Sequence, residues 1–214
     1  MSTDSDLVTL SGNLKALRGV IVAYSGGVDS AFLAWVGRRV LGERCLPVIA
    51  DSASLPRSEL VLALDNASRM GFPVRVIQTH EQENPDYLRN AANRCFFCKT
   101  ELFSRLDFLA RAEGYPFVAC GDNLDDREDD RPGMKAASDL GVRSPLREAG
   151  LGKPAIRALA RENGLPVWDK PATACLASRI PHGTLITLEK LGQVERAEDV
   201  LRAEGFRQIR VRHR

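Results

Sequence analysis

The chain has 214 residues, of which 44% are hydrophobic and 27% charged, which is ordinary for a globular protein with one large domain and at most a small appendage. A formal net charge of +2 is too small to indicate a nucleic-acid or membrane-surface partner, and no apolar run is long enough to predict a membrane span. The five cysteines are an odd number spread along the chain, and residues 1–6 lack the features of a secretory signal. We therefore expect a cytoplasmic protein.

Hydrophobic patterning predicts alternating helices and strands over residues 7–121. Leucines recur at helical spacing over residues 7–17, and short apolar runs rich in β-branched residues indicate buried strands. Strand followed by helix, repeated in this order, implies right-handed crossovers and a parallel sheet. After the opening helix, strands are predicted over residues 20–24, 45–50, 73–79 and 117–121, and helices over residues 29–41, 57–70, 84–93 and 97–113.

The pattern changes near residue 132, where glycine and proline become denser. Helices are predicted over residues 133–140, 154–163 and 188–204, and residues 206–214 alternate in a way that indicates a strand. We expect a boundary near residue 150. The fold class predicted is therefore α/β, with a doubly wound parallel sheet over residues 1–150 and a smaller α+β part over residues 151–214.

A glycine-rich loop joins the first predicted strand to the next helix. Its two glycines permit positive φ angles and close approach of a ligand, and successive N–H groups at a helix N-terminus suit an anion. The loop has no lysine, so it is not the P-loop of the common NTPases. An ordinary turn between strand and helix is the alternative. The loop reads Ser25-Gly26-Gly27-Val28-Asp29-Ser30.

This loop resembles the pyrophosphate-binding PP-loop of the N-type ATP pyrophosphatases, which cleave ATP between the α- and β-phosphates and attach AMP to a substrate. The resemblance implies the adenine nucleotide alpha hydrolase-like fold, and it implies Mg²⁺ held with the help of Asp29. Asp125 or Asp126, in an acidic run, would complete the magnesium site, although a solvated acidic loop is equally compatible with such a run. The residues expected to bind ATP all lie at the carboxyl ends of predicted strands and are Ser25, Gly26, Gly27, Val28, Asp29, Ser30, Asp51 and Gly121.

Longer motifs follow in order at residues 93–99, 121–126, 131–133, 144–146 and 168–183. Together they resemble the LarE family of ATP-dependent sacrificial sulfur transferases, which help to build the nickel-pincer nucleotide cofactor. The resemblance covers nearly the whole chain, and the segment Thr173-Ala174-Cys175-Leu176-Ala177-Ser178-Arg179 lies in its most specific part. Family members continue beyond the point at which this sequence stops, so the C-terminal part is expected to be shortened.

The resemblance implies a reaction in which Cys175 is consumed. A carboxylate of pyridinium-3,5-biscarboxylic acid mononucleotide is adenylylated, the Cys175 thiolate displaces AMP, and elimination leaves a thiocarboxylate and dehydroalanine. Asp29 would act with Cys175 as a catalytic residue through its metal. The resemblance also implies a small nucleotide substrate and a homo-oligomer, with hexamers described for the family.

The residues near Cys175 allow this chemistry on their own terms. A thiolate is the reactive form of cysteine, and Arg179 stands four residues later, on the same face if the stretch is helical. Ser178 and Arg179 are candidates to bind a substrate phosphate, and by resemblance Arg210 and Arg212 face anionic substrate groups. A small buried cysteine and a solvated basic edge strand are the alternatives.

Two questions stay open at the level of sequence. Cys95-x-x-Cys98 would serve as half of a zinc site or as a redox pair, but two cysteines opening the next helix are slightly favoured, because a second cysteine pair is missing. Another adenylylating enzyme, such as an amidotransferase-type ligase or a tRNA thiolase, or a non-catalytic ATP-binding relative, is the competing function. The small net charge argues against a tRNA substrate.

Overall fold

The structure, a computed structural model, describes residues 3–128, 132–206 and 208–214. The strands are β1 (Val20–Ala23), β2 (Cys45–Asp51), β3 (Arg75–Gln78) and β4 (Phe117–Ala119). The helices are α1 (Thr3–Leu17), α2 (Val28–Leu41), α3 (Arg57–Arg69), α4 (Pro85–Leu88), α5 (Arg94–Glu113), α6 (Pro132–Asp139), α7 (Pro145–Glu148), α8 (Lys153–Glu162) and α9 (Leu188–Ala203). Short 3₁₀ helices lie at Gly42–Arg44, Glu81–Glu83, Leu124–Glu128 and Leu176–Arg179.

The strands form one parallel sheet in the order β3-β2-β1-β4. Val20 of β1 pairs with Cys45 of β2 on one side and with Phe117 of β4 on the other. The chain runs outward from β1 to β3 and then returns across β1 to form β4, so the strand order reverses between β1 and β4. Ligands of open parallel sheets bind at such a reversal. The predicted α/β fold is confirmed, and the loops after β1 and β4 lie side by side.

Helices cover both faces of the sheet, as a doubly wound fold requires. Val20 and Val22 of β1 lie in the larger apolar cluster, together with residues of α1, α2, α7 and α8. Ile21, between them, lies in a second cluster with residues of α5 and α6. β1 is therefore buried on both faces, which explains its uninterrupted apolar sequence.

The C-terminal part contributes to the large core and also to a smaller cluster. Leu151 and Ile156 lie in the same cluster as α1 and α2, and the division of the chain at residue 150 stays a prediction. The smaller cluster joins α4, the segment after Cys175 and α9. Its buried members are Tyr87, Leu176, Ala177, Ile180, Ile186, Leu191 and Val194.

The strand predicted over residues 206–214 is wrong for the described residues of that segment, which have no regular structure. The tail bonds to side chains and loops in place of a neighbouring strand. The Val211 N–H donates to Glu198 Oε1 at 3.2 Å, and the His213 N–H donates to the Arg179 carbonyl at 3.0 Å. Beyond residue 150, the described part of the chain holds helices and loops but no strand.

The helix predicted over residues 84–93 is shorter than expected. α4 ends at Leu88, and Asn90 has a φ of 53°, a left-handed conformation that a helix cannot continue through. The Asn90 side chain donates to the carbonyls of Pro181, Ile180 and Thr184, so it connects this turn to the C-terminal part.

Among the described helices, none has the length and apolar character needed to cross a membrane.

Candidate functional site

The loop after β1 has the tight conformation that its glycines permit. Gly26 has a φ of +72°, and a Cβ atom there would lie 2.5 Å from the Cβ of Ala63 on α3, so only glycine fits. The Ser30 hydroxyl accepts the Ser25 N–H at 3.0 Å and donates to the Gly27 carbonyl at 3.2 Å. These bonds close the loop on itself and hold it at the start of α2.

The first turn of α2 offers N–H groups to a ligand. The Ala31 N–H bonds to the Gly27 carbonyl at 3.0 Å and begins the ladder of the helix. Helix geometry leaves the earlier N–H groups without intrahelical partners, and Gly27, the N-cap, has no side chain to cap them. These groups belong to Val28, Asp29 and Ser30. Together with the helix dipole they favour an anion such as phosphate.

Gly121, after β4, packs directly on this turn. A Cβ atom at Gly121 would lie 2.8 Å from the backbone nitrogen of Ser30 and 3.0 Å from its Cα. The sequence predicted Gly121 as a nucleotide contact. The structure places it beside the loop and gives it a packing role, because only a glycine lets β4 approach α2 this closely.

Asp29 lies in the first turn of α2, and only one of its two carboxylate oxygens is paired with a cation. Its Oδ2 forms an ion pair with Lys153 Nζ, while its buried Oδ1 has no hydrogen-bond partner among the described residues. Burial raises the pKa of Asp29, and the neighbouring Lys153 acts in the opposite direction. The charge of Asp126 also raises the pKa of Asp29, so the two carboxylates sense each other.

Two aspartates of the acidic run after β4, Asp125 and Asp126, have different hydrogen-bond partners. Asp125 Oδ2 accepts the Lys153 N–H at 2.6 Å, so Asp125 caps the first turn of α8. Asp126 Oδ2 accepts the Asn123 N–H at 3.0 Å and acts on Asp29 through its charge. Residues 129–131 of the predicted acidic run lie outside the described residues.

The carboxylates of Asp29 and Asp126 fit a magnesium ion whose other ligands are mainly phosphate oxygens. Mg²⁺ takes one or two protein carboxylates and keeps phosphate and water oxygens as its other ligands. The unpartnered Oδ1 of Asp29 is one such carboxylate oxygen at the loop. In the described ranges, no group of three or more His, Cys, Asp or Glu side chains could hold a metal by itself.

Asp51 lies at the carboxyl end of β2, on the rim that the sequence predicted. Its Oδ1 pairs with Arg57, and its Oδ2 accepts the Gln78 amide at 2.9 Å. Burial by itself would raise the pKa of Asp51, but the hydrogen bonds from Arg57 and Gln78 outweigh it, and the pKa lies below its usual value. Asp51 is thus ionised and bound to protein groups.

Cys175 is exposed and sits at the N-cap of the 3₁₀ helix Leu176–Arg179. Its carbonyl accepts the N–H of Ser178 at 3.0 Å and the hydroxyl of Ser178 at 2.7 Å. Leu176, the next residue, is buried and donates its N–H to the Ser54 carbonyl at 2.9 Å. Cys175 is therefore an exposed residue on an anchored turn, and the alternative of a small buried core cysteine is wrong.

Arg179 is buried, and its charge is directed to a carboxylate. Arg179 Nε donates to Glu198 Oε1 at 2.8 Å, and Nη1 donates to the Ser178 hydroxyl at 2.8 Å. Glu198, which is fully buried, also accepts Arg202 Nη2 at 3.0 Å. Glu198 neutralises much of the charge of Arg179. The predicted stabilisation of the Cys175 thiolate by Arg179 therefore stays a prediction.

A cavity of about 450 Å³ lies next to this turn; we call it the arginine cavity. It brings together α3, the segment before Cys175, α9 and the C-terminal tail. Three of its lining residues are arginines, which suits an anionic ligand. Arg210 lines the cavity, whereas Arg212 is exposed further along the tail, and substrate binding by either arginine stays a prediction. The lining residues are Glu59, Pro171, Ala172, Thr173, Arg179, Arg202, Gln208, Ile209 and Arg210.

Cys95 and Cys98 are the second and fifth residues of α5, which confirms that they open that helix. Cys95 is exposed, and an Arg94 nitrogen lies 3.8 Å from its sulfur. Burial raises the pKa of Cys98 to about 12, with further contributions from Glu81 and from the Cys175 thiol. The two helix-opening cysteines therefore differ in exposure.

Four charged residues at the site were assigned no role from the sequence, although Lys170 lies within the motif at residues 168–183: Glu59, Lys153, Lys170 and Glu198. Lys153 and Lys170 supply the cations that the loop lacks, from positions far along the chain. The pair of Glu198 with Arg202 at i,i+4 spacing was the one visible signal for the buried carboxylate. The lysines carried no such signal, because their partners are distant in sequence.

Comparison with known proteins identifies the family. No protein-family model matches the chain. The chain is 37% identical to the pyridinium-3,5-bisthiocarboxylic acid mononucleotide synthase of Lactiplantibacillus plantarum, over 95% of this chain and 74% of that protein. The chain belongs to the LarE family.

Two other relatives extend this picture. An uncharacterized protein of Synechocystis sp. is 46% identical to this LarE-family chain, over 98% of this chain and 78% of its own length. The glutamine-hydrolyzing GMP synthase of Aeropyrum pernix is 27% identical over 86% of this chain and 39% of its own length. The resemblance seen in the sequence motifs is thus confirmed, and the similarity to a GMP synthase supports the PP-loop fold.

Proposed function

We propose that this LarE-family chain is an ATP-dependent sulfur transferase in nickel-pincer cofactor biosynthesis. It converts a carboxylate of pyridinium-3,5-biscarboxylic acid mononucleotide into a thiocarboxylate, with the sulfur of Cys175. The relative from L. plantarum is named as the synthase of the corresponding bisthiocarboxylic acid. The observation that carries the proposal is that Pro171, Ala172 and Thr173, just before the exposed Cys175, line the arginine cavity.

The first step uses the loop after β1. The N–H groups of Val28, Asp29 and Ser30 bind the pyrophosphate end of ATP. A carboxylate oxygen of the substrate attacks the α-phosphorus, the bond to the β-phosphate oxygen breaks, and pyrophosphate leaves with the electron pair. Asp29 would hold Mg²⁺, which supplies positive charge to the phosphate oxygens. The product of this step is an acyl adenylate.

The second step uses Cys175. Its thiolate attacks the acyl carbon, the bond to the phosphate oxygen breaks, and AMP leaves with the electron pair. The resulting thioester loses the Cα proton of Cys175 to a base while the Cβ–S bond breaks. The sulfur departs on the substrate as a thiocarboxylate, and Cys175 becomes dehydroalanine. Because this elimination is redox-neutral, each chain transfers one sulfur without a reductant.

The arginine cavity supplies a site for the substrate's anionic groups. Arg210 is exposed at its mouth, whereas Arg179 and Arg202 are held in place by the buried Glu198. A bidentate guanidinium can orient a phosphate or carboxylate, and Ser178 adds a hydroxyl that already bonds Arg179. In this proposal, orientation of this kind would bring the reacting carboxyl to the loop and to the thiol.

A Cys175→Ser variant separates the two steps. With ATP, Mg²⁺ and the biscarboxylic acid mononucleotide, the wild-type protein is expected to release pyrophosphate and AMP and to form thiocarboxylate. The variant is expected to release pyrophosphate but to form no thiocarboxylate. Cys95→Ser, the other exposed cysteine, is the matched control and keeps both activities. Thiocarboxylate made by Cys175→Ser without added sulfide would contradict the proposal.

The similarity to GMP synthase favours one second candidate, an enzyme that passes the acyl adenylate to a nitrogen nucleophile. For such an enzyme, ammonia would raise AMP release, and Cys175→Ser would be as active as the wild type. A non-catalytic relative would bind ATP and release no pyrophosphate.

The expected cytoplasmic location and homo-oligomeric state stay predictions, and light scattering measures the oligomeric state.

A further inference from the structure

Lys170 connects the phosphate loop to the segment that carries Cys175. Its Nζ donates to the Gly26 carbonyl at 3.0 Å and lies 2.9 Å from Glu59 Oε2. The side chains of Lys170 and Glu59 are only 11% and 16% exposed, so solvent screens the pair weakly. The bond to Gly26 spans 144 positions of sequence and joins the two halves of the candidate site.

This bond fixes the direction of the peptide between Gly26 and Gly27. In a trans peptide the carbonyl and the following N–H point to opposite sides, and the described residues contain no cis peptide. With the carbonyl held at Lys170, the Gly27 N–H points away from Lys170, toward the Ser25 hydroxyl at 3.4 Å. Two successive glycines have little intrinsic preference for one orientation, so an external partner is needed to select it.

The same lysine is one of two anchors for the reactive cysteine. Residues 171–175 have no regular structure, and residues 172–175 are exposed. At one end, the Lys170 carbonyl accepts Arg157 Nη2 at 2.8 Å while its ammonium is held at Gly26 and Glu59. At the other end, Leu176 is buried and bonded to the Ser54 carbonyl. The place of Cys175 relative to the loop depends on both ends.

We propose that Lys170 is a positioning residue that keeps the Cys175 segment aligned with the phosphate loop while it sets the loop's peptide orientation. The inference rests on the proposed function and goes beyond it. Its chemical consequence is that an acyl adenylate formed at the loop meets the thiolate before it meets water. A displacement of about 1 Å costs on the order of 10²-fold in rate, so a loose anchor would favour hydrolysis of the adenylate.

The test compares two products in one reaction. Pyrophosphate and dehydroalanine at Cys175 are measured together, with ATP, Mg²⁺ and the biscarboxylic acid mononucleotide at saturation. We expect one dehydroalanine per pyrophosphate in the wild type. In Lys170→Met, we expect several pyrophosphates per dehydroalanine, with free AMP and unchanged substrate carboxylate. Lys170→Arg should restore part of the coupling, because a guanidinium can still reach both partners.

Two further variants make the result decisive. Lys190→Met is the matched control, since Lys190 Nζ also donates to a carbonyl, that of Leu185, at an exposed site. The double variant Lys170→Met/Glu59→Gln also removes the partly buried carboxylate that Lys170→Met leaves unpaired, so it keeps the test available if Lys170→Met does not fold. Wild-type coupling in the folded variants would overturn the inference. Absence of pyrophosphate from the wild-type protein would instead overturn the proposed function.

Discussion

Lys153 Nζ and Asp29 Oδ2, 124 positions apart in sequence, form an ion pair at the mouth of the phosphate loop. The loop has no lysine of its own, so the C-terminal half of the chain supplies this cation. The backbone of Lys153 is fixed as well, because its N–H donates to Asp125 at the first turn of α8. An ammonium group held there is within reach of any phosphate that binds to the first turn of α2.

Lys153→Met is expected to slow pyrophosphate release. The variant loses a charge-assisted hydrogen bond to Asp29 or to bound phosphate, worth about 1.5–3 kcal/mol, which corresponds to roughly 10- to 100-fold. Initial rates at saturating ATP measure the effect. Lys135→Met, at an exposed position of α6, is the control and should match the wild type. Equal rates for both variants would show that Lys153 is only a structural partner of Asp29.

Gly26→Ala is expected to weaken both folding and ATP binding. A side chain there must adopt a positive φ, which costs roughly 1–2 kcal/mol, and its Cβ would collide with Ala63 at 2.5 Å. Gly141→Ala is the matched control, because Gly141 also has a positive φ of +65° but open space around its Cβ. Thermal unfolding and ATP titration should show the larger stability loss, and the only affinity loss, for Gly26→Ala.

Thiol alkylation should separate the cysteines by burial. Burial raises the pKa of Cys98 to about 12 and that of Cys45 to about 12, and it raises that of Cys120 to about 11. These thiols are therefore protonated at about pH 8, and the thiolate is the reactive form. Iodoacetamide is expected to label the exposed Cys95 and Cys175 in the native protein. Peptide mapping reads the result, and fast labelling of Cys98 would contradict its burial.

Glu198→Ala is expected to destabilise the fold strongly. Removal of the fully buried carboxylate leaves the guanidinium of Arg179 unpaired, a change that costs about 3–5 kcal/mol. Asp199→Ala is the neighbouring control, since its pair with Arg202 is half exposed and worth about 0–1 kcal/mol. Urea unfolding monitored by circular dichroism measures both. Similar midpoints for the two variants would mean that Glu198 contributes little to stability.

The sheet and the phosphate loop could be predicted from sequence because their signals are local. The apolar run of β1, the glycines and the following helix are adjacent in the chain, and strand-helix alternation fixes a parallel topology. The exposed Cys175 also lay in a short, specific motif. The structure confirms the strands and helices on either side of the loop, with boundaries that differ by a few residues, whereas phosphate binding by the loop stays a prediction.

The remaining features depend on contacts between distant segments. The pairs of Lys153 with Asp29 and of Lys170 with Gly26 join residues far apart in sequence, and no spacing rule reveals them. The tail was wrongly predicted as a strand, because an alternating pattern does not show whether a neighbouring strand is available to pair with it. Its partners are the side chain of Glu198 and the carbonyl of Arg179.

The most direct test of the proposed chemistry is the intact mass of the wild-type chain after incubation with ATP, Mg²⁺ and pyridinium-3,5-biscarboxylic acid mononucleotide, followed by peptide mapping. We predict that the chain loses the elements of one H₂S and that the loss maps to Cys175, in step with thiocarboxylate formation. A chain of unchanged mass that has produced thiocarboxylate, or a loss that maps to another cysteine, would contradict the proposal.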